Sequence, residues 1–275
     1  LKLAARILII LVVIAAIGAA YYYWAQKNTP DPVAARQEDT PVAPEELASA
    51  ETAPPALDVP QPIQHPIDSP PSEAPLPAVK ESDALITPPL KALLGTDLWR
   101  ALFVPEEIVR RIVTTVDNLP RREASSKLWP VQPAGTWMET AGEDENMIIS
   151  PINAERYSNY MLIVQNISID RLAAIYRQFY PLFQRAYADL GYPDAYFNDR
   201  LVETIDHLLA TPEPLEAPKL MQKKVVYQFV DPDLENRSAG QKIMLRIGVE
   251  NAQIVKMRLR ELRAAITQSQ TGLTR

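Results

Sequence analysis

Fifteen of the 26 prolines lie between Pro30 and Pro89, and no glycine does. Proline fixes φ and removes a backbone donor, so a stretch this dense in it is a poor helix interior and a poor strand. The same stretch carries 11 acids against two bases, a net charge of −9, and is poor in aromatics. Such a composition buries too little apolar surface to offset the entropy of ordering, and its charges repel one another. Residues 29–89 are therefore expected to form a disordered tether, with His65 solvated within it. About 60 residues span on the order of 45 Å as a flexible coil and at most about 190 Å as polyproline II.

The tether divides the chain in three. Residues 1–28 hold Lys2, Arg6 and then an uncharged run from Ile7 to Gln26, closed by Lys27. Twenty residues at about 1.5 Å each give a helix of roughly 30 Å, the thickness of a bilayer's hydrocarbon core. Tyr21, Tyr22, Tyr23 and Trp24 at its far end are rings of the kind that settle at a membrane interface. The alternatives are a buried soluble helix, which is not normally apolar all round for this length, and a cleaved signal peptide, for which Ala16, Gly18, Ala19 and Ala20 supply small residues. The length of the run and the aromatic cluster favour a retained transmembrane anchor. The positive residues on the N-terminal side place that end in the cytoplasm and the bulk of the chain outside.

Residues 90–275 hold 23 basic and 23 acidic side chains, and this neutrality argues against nucleic acid as a partner. Lys256, Arg258, Arg260 and Arg263 cluster, but they spread around a helix and are read as a solvated face. With no cysteine in the chain, thiol chemistry and Cys-ligated metals are excluded, and no cofactor or metal site is expected. No Walker loop, nucleophile elbow, H-E-x-x-H or dinucleotide glycine run occurs.

Helical signals dominate this third segment. Pro105, followed by Glu106 and Glu107, opens a helix with Ile108, Ile112, Val113, Val116 and Leu119 on one face. A helix from about Ile169 to Leu190 carries Tyr176, Phe179, Phe183 and Tyr187 as a core stripe, with Pro181 on the opposite side. Gly191 ends it, and Asp194 is the expected N-cap of a helix over residues 195–210. Ser238 and Gln241 form a capping box, and a last helix from Val249 has a seam of Val255, Leu259, Leu262 and Ile266. Thr136–Thr140 and Asn146–Ser150 flank Gly142 as a hairpin, and Val225–Val230 is either a strand or a short buried helical turn. The fold class is mainly α: a transmembrane helix, a disordered tether, and one helical domain with a small β-hairpin.

On the helix over 195–210, Leu201, Val202, Ile205, Leu208 and Leu209 make a buried arc. Asp199, Glu203, Asp206 and His207 occupy the reverse arc, with Arg200 at its edge. Glu203 and His207, four apart, are spaced to share a proton or to chelate a metal, although a metal site needs more ligands than these. The favoured reading is a partner-binding face made of Tyr192, Tyr196, Asp199, Arg200, Glu203, Asp206 and His207. The rival is a hydrolase-type enzyme in which Asp199, Glu203, Asp206 and His207 supply acid and base to an envelope polymer.

The run YPLFQRAYADLGYPDAYFNDRLVETIDHLLATPEP, the later VDPDLE and SAGQKIMLRIGVENA segments, and the upstream LFVPEEIVRRIVTTVDNLPR and LWPV stretches resemble the bacterial domain of unknown function 3014 family. The resemblance covers about Leu90 to Ile266 and implies an envelope protein with an N-terminal membrane segment and a proline-rich tether. It carries no catalytic residues. The resulting expectation is a single-pass inner-membrane protein whose helical domain meets a protein partner in the periplasm.

Overall fold

The computed structural model describes residues 62–70, 75–135, 137–223 and 226–268, all within one compact unit. The expected anchor at residues 7–26 lies outside the described residues, and so does the tether up to residue 61. Among the described residues no helix is long and apolar enough to cross a membrane.

Nine helices occur among the described residues: α1 (Asp83–Leu94), α2 (Thr96–Leu102), α3 (Ile108–Asn118), α4 (Ser158–Asn166), α5 (Ile169–Asp189), α6 (Phe197–Leu209), α7 (Pro232–Glu235), α8 (Ala239–Arg246) and α9 (Val249–Thr267). Two small antiparallel sheets join them, β1 (Thr140–Ala141) with β2 (Ile148–Ile149), and β3 (Leu220–Lys223) with β4 (Val226–Phe229). The mainly helical class and the hairpin around Gly142 agree with the sequence. Gly142 has φ +78°, and a Cβ there would sit 2.3 Å from the Asn146 carbonyl oxygen, so the turn needs glycine. Val226–Phe229 is a strand; its partner β3 was not anticipated. Leu220 N–H donates to the Met147 carbonyl at 2.7 Å and ties the two sheets together.

The core lies where α5 meets α1, α3, α6 and α9. Tyr176, Phe179, Phe183 and Tyr187 are buried on α5 as their spacing predicts, joined by Ala173, Tyr180 and Leu182, while Pro181 is exposed. Phe183 stacks on Phe197 of α6 at 6.0 Å between ring centroids. Ile205 and Val202 close the core from α6, and Ile266 from the end of α9.

The tether boundary is corrected by this core. Disorder was expected through Pro89, yet Val79, Ile86 and Leu90 are buried, and Ile67 and Leu76 pack against the same cluster. Ile86 and Leu90 are four apart, so they face inward together even though Pro88 and Pro89 interrupt the hydrogen bonds of α1. Spaced apolar burial outweighs the propensity cost.

Asp83, counted among the acids of the tether, has a structural task. Its carboxylate accepts from the backbone N–H groups of Glu107 at 2.7 Å and Ile108 at 2.9 Å, capping α3 from 24 and 25 residues away. The helix therefore starts at Ile108, and Glu107 sits in the left-handed region at φ 53° instead of forming a first turn after Pro105.

Two other caps differ from expectation. Asp194 does not cap α6; Gln184 Oε1 accepts from Phe197 N–H at 2.9 Å, and the Tyr180 hydroxyl accepts from Asn198 N–H at 3.2 Å. Ser238 caps α8 by accepting from Gln241 N–H, but the Gln241 side chain donates to the His207 carbonyl and does not close a capping box. Lys256 is not solvated: it is 5% exposed, and its Nζ donates to the Thr211 carbonyl and to Glu213, each at 2.6 Å.

Candidate functional site

The first turn of α6 faces two ways. Phe197 enters the core, and Tyr196, Asn198 and Asp199 meet the N-terminal segment 62–67. Gln64 and His65 donate their backbone N–H groups to the two carboxylate oxygens of Asp199, at 2.9 and 2.7 Å. Ile67 N–H donates to the Tyr196 hydroxyl at 2.9 Å. Asn198 is fully buried, and its amide donates to the His65 carbonyl at 2.8 Å and to the Ile266 carbonyl at 3.2 Å. Its oxygen accepts from the Tyr176 hydroxyl at 3.1 Å, so every polar group of that side chain has a partner. His65, expected to be solvated in a tether, thus has its main chain bound on both sides.

Pro62, Gln64 and His65 of this segment form one wall of an open groove of about 470 Å³, whose α6 side carries Tyr196, Asp199, Arg200, Glu203 and Asp206, with Tyr187 and Arg263 from α5 and α9. Its charges pair among themselves. Arg200 Nη1 donates to Glu203 at 2.8 Å, while its Nε and Nη2 donate to the carboxylate and carbonyl of Asp117 at 3.2 and 2.9 Å. Burial works against the charge of Arg200, and Glu203 and Asp117 more than compensate, so its pKa is raised. Arg263 grips both oxygens of Asp206, at 2.6 and 2.9 Å, from α9. The Tyr187 phenol is pushed up to about 12, chiefly by burial.

The predicted face therefore divides. Tyr196, Asp199, Arg200, Glu203 and Asp206 share the groove. Tyr192 stands to one side, stacked on Tyr187 at 4.7 Å, with its hydroxyl accepting from Arg121 at 2.7 Å. His207 faces a separate depression with Pro120, Arg122, Asn236, Arg237 and Ser238. The Glu203–His207 partnership suggested by their spacing gives way to Glu203–Arg200 and to His207 Nε2 with Ser238 Oγ at 2.8 Å. Ser238 Oγ also accepts from Gln241 N–H at 3.2 Å, and the donor in its contact with His207 Nε2 depends on the ring tautomer. Burial lowers the His207 pKa; Glu203 opposes this, and Arg200 and Arg237 add to it. No group of three metal-binding side chains occurs among the described residues.

The family described as protein of unknown function, DUF3014, matches residues 108–263, more than half of the chain. The chain belongs to DUF3014. The matched span runs from the start of α3 to the Arg263 that holds Asp206, and so contains all the predicted site residues. Residues 62–67, which dock on the α6 turn, lie outside the DUF3014 match. No curated protein and no solved structure matches the chain.

Sequence reasoning missed Asn198, Asp117 and Arg263 as members of this site. Asn198 sits at the start of a helix, where an asparagine is an ordinary sight, and Asp117 lies on a neighbouring helix with no local motif. Arg263 was counted into a solvated basic cluster.

Proposed function

We propose that this DUF3014 protein is a single-pass inner-membrane protein that presents a helical interaction or scaffolding domain in the periplasm. The uncharged run from Ile7 to Gln26 and its flanking Lys2 and Arg6 support the anchor and its orientation. The observation that carries the interaction reading is the open groove along α6, where Tyr187 and Tyr196 lie beside the ion pairs Arg200–Glu203 and Arg263–Asp206. Tyrosine and arginine held in place by their neighbours are the residues that anchor protein contacts, because little side-chain entropy is left to lose on binding.

The hydrolase reading has less behind it. Ser238 and His207 are in hydrogen-bond contact, but the N–H groups that would have to stabilise an oxyanion beside Ser238 are engaged. Ala239 N–H donates to the Arg121 carbonyl at 2.7 Å and Gly240 N–H to the Leu119 carbonyl at 2.9 Å. Asp199, Glu203 and Asp206 border a different depression from His207.

Photo-crosslinking residues placed in turn at Arg200, Glu203 and His207 in living cells test the proposal. The same recurrent protein adduct at Arg200 and at Glu203, the first of them lost in Glu203→Lys, is the expected outcome. Absence of any adduct at all three positions overturns the contact surface.

A further inference from the structure

All four hydrogen bonds between residues 62–67 and the α6 turn use the main chain of the segment: the N–H groups of Gln64, His65 and Ile67 and the carbonyl of His65. Of its side chains, Ile67 packs against the core. Pro62, Ile63, Gln64 and Pro66 are exposed, Ile63 at 54%. The chain bends at Gln64 and His65, so two successive N–H groups converge on one carboxylate, one to each oxygen of Asp199. Pro62 and Pro66 flank the bend and restrict the free segment before it docks.

The receiving side is built for this. Asn198 is fully buried and held by Tyr176 and Ile266, and Tyr196 packs on Tyr180 at 5.3 Å between ring centroids. A rigid donor, a carboxylate and a hydroxyl are thus fixed at the spacing of a peptide backbone. Through Tyr196 and Asp199 these groups adjoin the open groove.

Resting on the interaction reading of the same face, we propose that Tyr196, Asn198 and Asp199 form a main-chain-reading peptide site. Residues 62–67 occupy it in cis, and a proline-flanked bend of a partner polypeptide occupies it in trans. The partner segment needs free N–H groups at three positions matching Gln64, His65 and Ile67, with proline between the last two and an apolar side chain at the third to pack as Ile67 does. The tethered segment competes at high effective concentration, so the site opens only to a partner that also engages the adjoining groove.

The probe is a labelled synthetic peptide of residues 59–70, VPQPIQHPIDSP. It is titrated into the purified full chain, into a chain with Gln64, His65 and Ile67 all replaced by proline, and into Gln64→Pro/His65→Pro. The double proline variant removes two donors from the segment and leaves the helical domain untouched, so it serves if the first replacement fails to fold.

Binding to a released chain about tenfold or more tighter than to the unaltered chain is expected, with about a tenfold loss on adding Asp199→Ala. No binding to a released chain that still melts cooperatively overturns the peptide site. Dimerisation of the unaltered chain that Gln64→Pro/His65→Pro abolishes also overturns it, in favour of segment exchange between copies. The two proposals fail separately. Crosslinks without peptide binding leave an interaction face that reads something else, and peptide binding without crosslinks leaves only the clamp in cis.

Discussion

The buried amide of Asn198 donates to the carbonyl of His65 at 2.8 Å, across 133 residues of chain, and shares its nitrogen with the carbonyl of Ile266 at 3.2 Å. One side chain therefore joins the N-terminal segment, the end of α9 and, through Tyr176, the middle of α5. Replacing it with leucine removes all three bonds and leaves a buried tyrosine hydroxyl unpaired. The expected cost is about 2–4 kcal/mol, read as a lower urea midpoint. Proteolysis between residues 62 and 70 is expected to accelerate in the same variant. Asn198→Asp keeps the acceptor for Tyr176 but turns lone pairs toward two carbonyls, and it should be at least as destabilising. An aspartate variant as stable as the unaltered protein would show that the amide donors carry no weight.

Asp117 is the second junction. It is 3% exposed and lies between two arginines, accepting from Arg121 at 2.6 Å and from Arg200 at 3.2 Å. The two partners differ in setting, with 50% of the Arg121 side chain exposed against 18% for Arg200. Removing an exposed partner of an ion pair costs little, and removing the buried partner strands the other charge. Arg121→Ala is expected to cost under about 1 kcal/mol and Asp117→Asn about 2–3 kcal/mol, compared by urea denaturation. Equal costs would mean that Arg200 finds compensation in Glu203 alone.

The contrast between these junctions and the helices shows what the sequence made legible. The stripe of Tyr176, Phe179, Phe183 and Tyr187 on α5 and the buried Val202 and Ile205 on α6 follow from helical period, because each helix repeats its environment every few residues. Asp83 capping α3, Asn198 binding His65 and Lys256 buried beside Thr211 leave no periodic trace, since each depends on a residue far along the chain. Composition misled where a few apolar residues sufficed: Val79 and Ile86 are buried in a stretch that its prolines and acids marked as tether. For the candidate site, the acidic arc was found by its spacing, but its pairing with Arg263 and its separation from His207 are tertiary facts.

Gly240 marks a close approach of α8 to its neighbours. A Cβ there would lie 2.6 Å from Leu208 Cδ2 and 3.0 Å from the Leu119 carbonyl oxygen, which also accepts from Gly240 N–H at 2.9 Å. Leu208 ends in a flexible side chain and yields, whereas the Leu119 carbonyl is backbone. Alanine favours a helix over glycine by roughly 1 kcal/mol, while overpacking costs about 1–3 kcal/mol. Gly240→Ala is therefore expected to be neutral to destabilising by about 1–2 kcal/mol, and Gly240→Val clearly destabilising. Thermal unfolding of the pair decides it, and a stabilised valine variant would show that α8 has room to move away from Leu119.

His207 gives the fold a dependence on acid. Its pKa is lowered from the ordinary value of 6.5, by burial first; Glu203 opposes this, and Arg200 and Arg237 add to it. The unfolded chain therefore binds more protons than the folded one between the folded pKa and about 6.5. The contribution is fully present above about pH 6.5 and is lost as pH falls toward the folded value. In the protonated ring Nε2 is a donor, and the Ser238 hydroxyl must accept from it. His207→Gln should flatten the fall in melting temperature between pH 7 and pH 5.5 and change little at pH 8. The chain has two histidines, so in a His65→Gln background a single imidazole signal reports the titration directly by NMR. A midpoint at or above 6.5 would place the ring in solvent and remove His207 as a source of acid sensitivity.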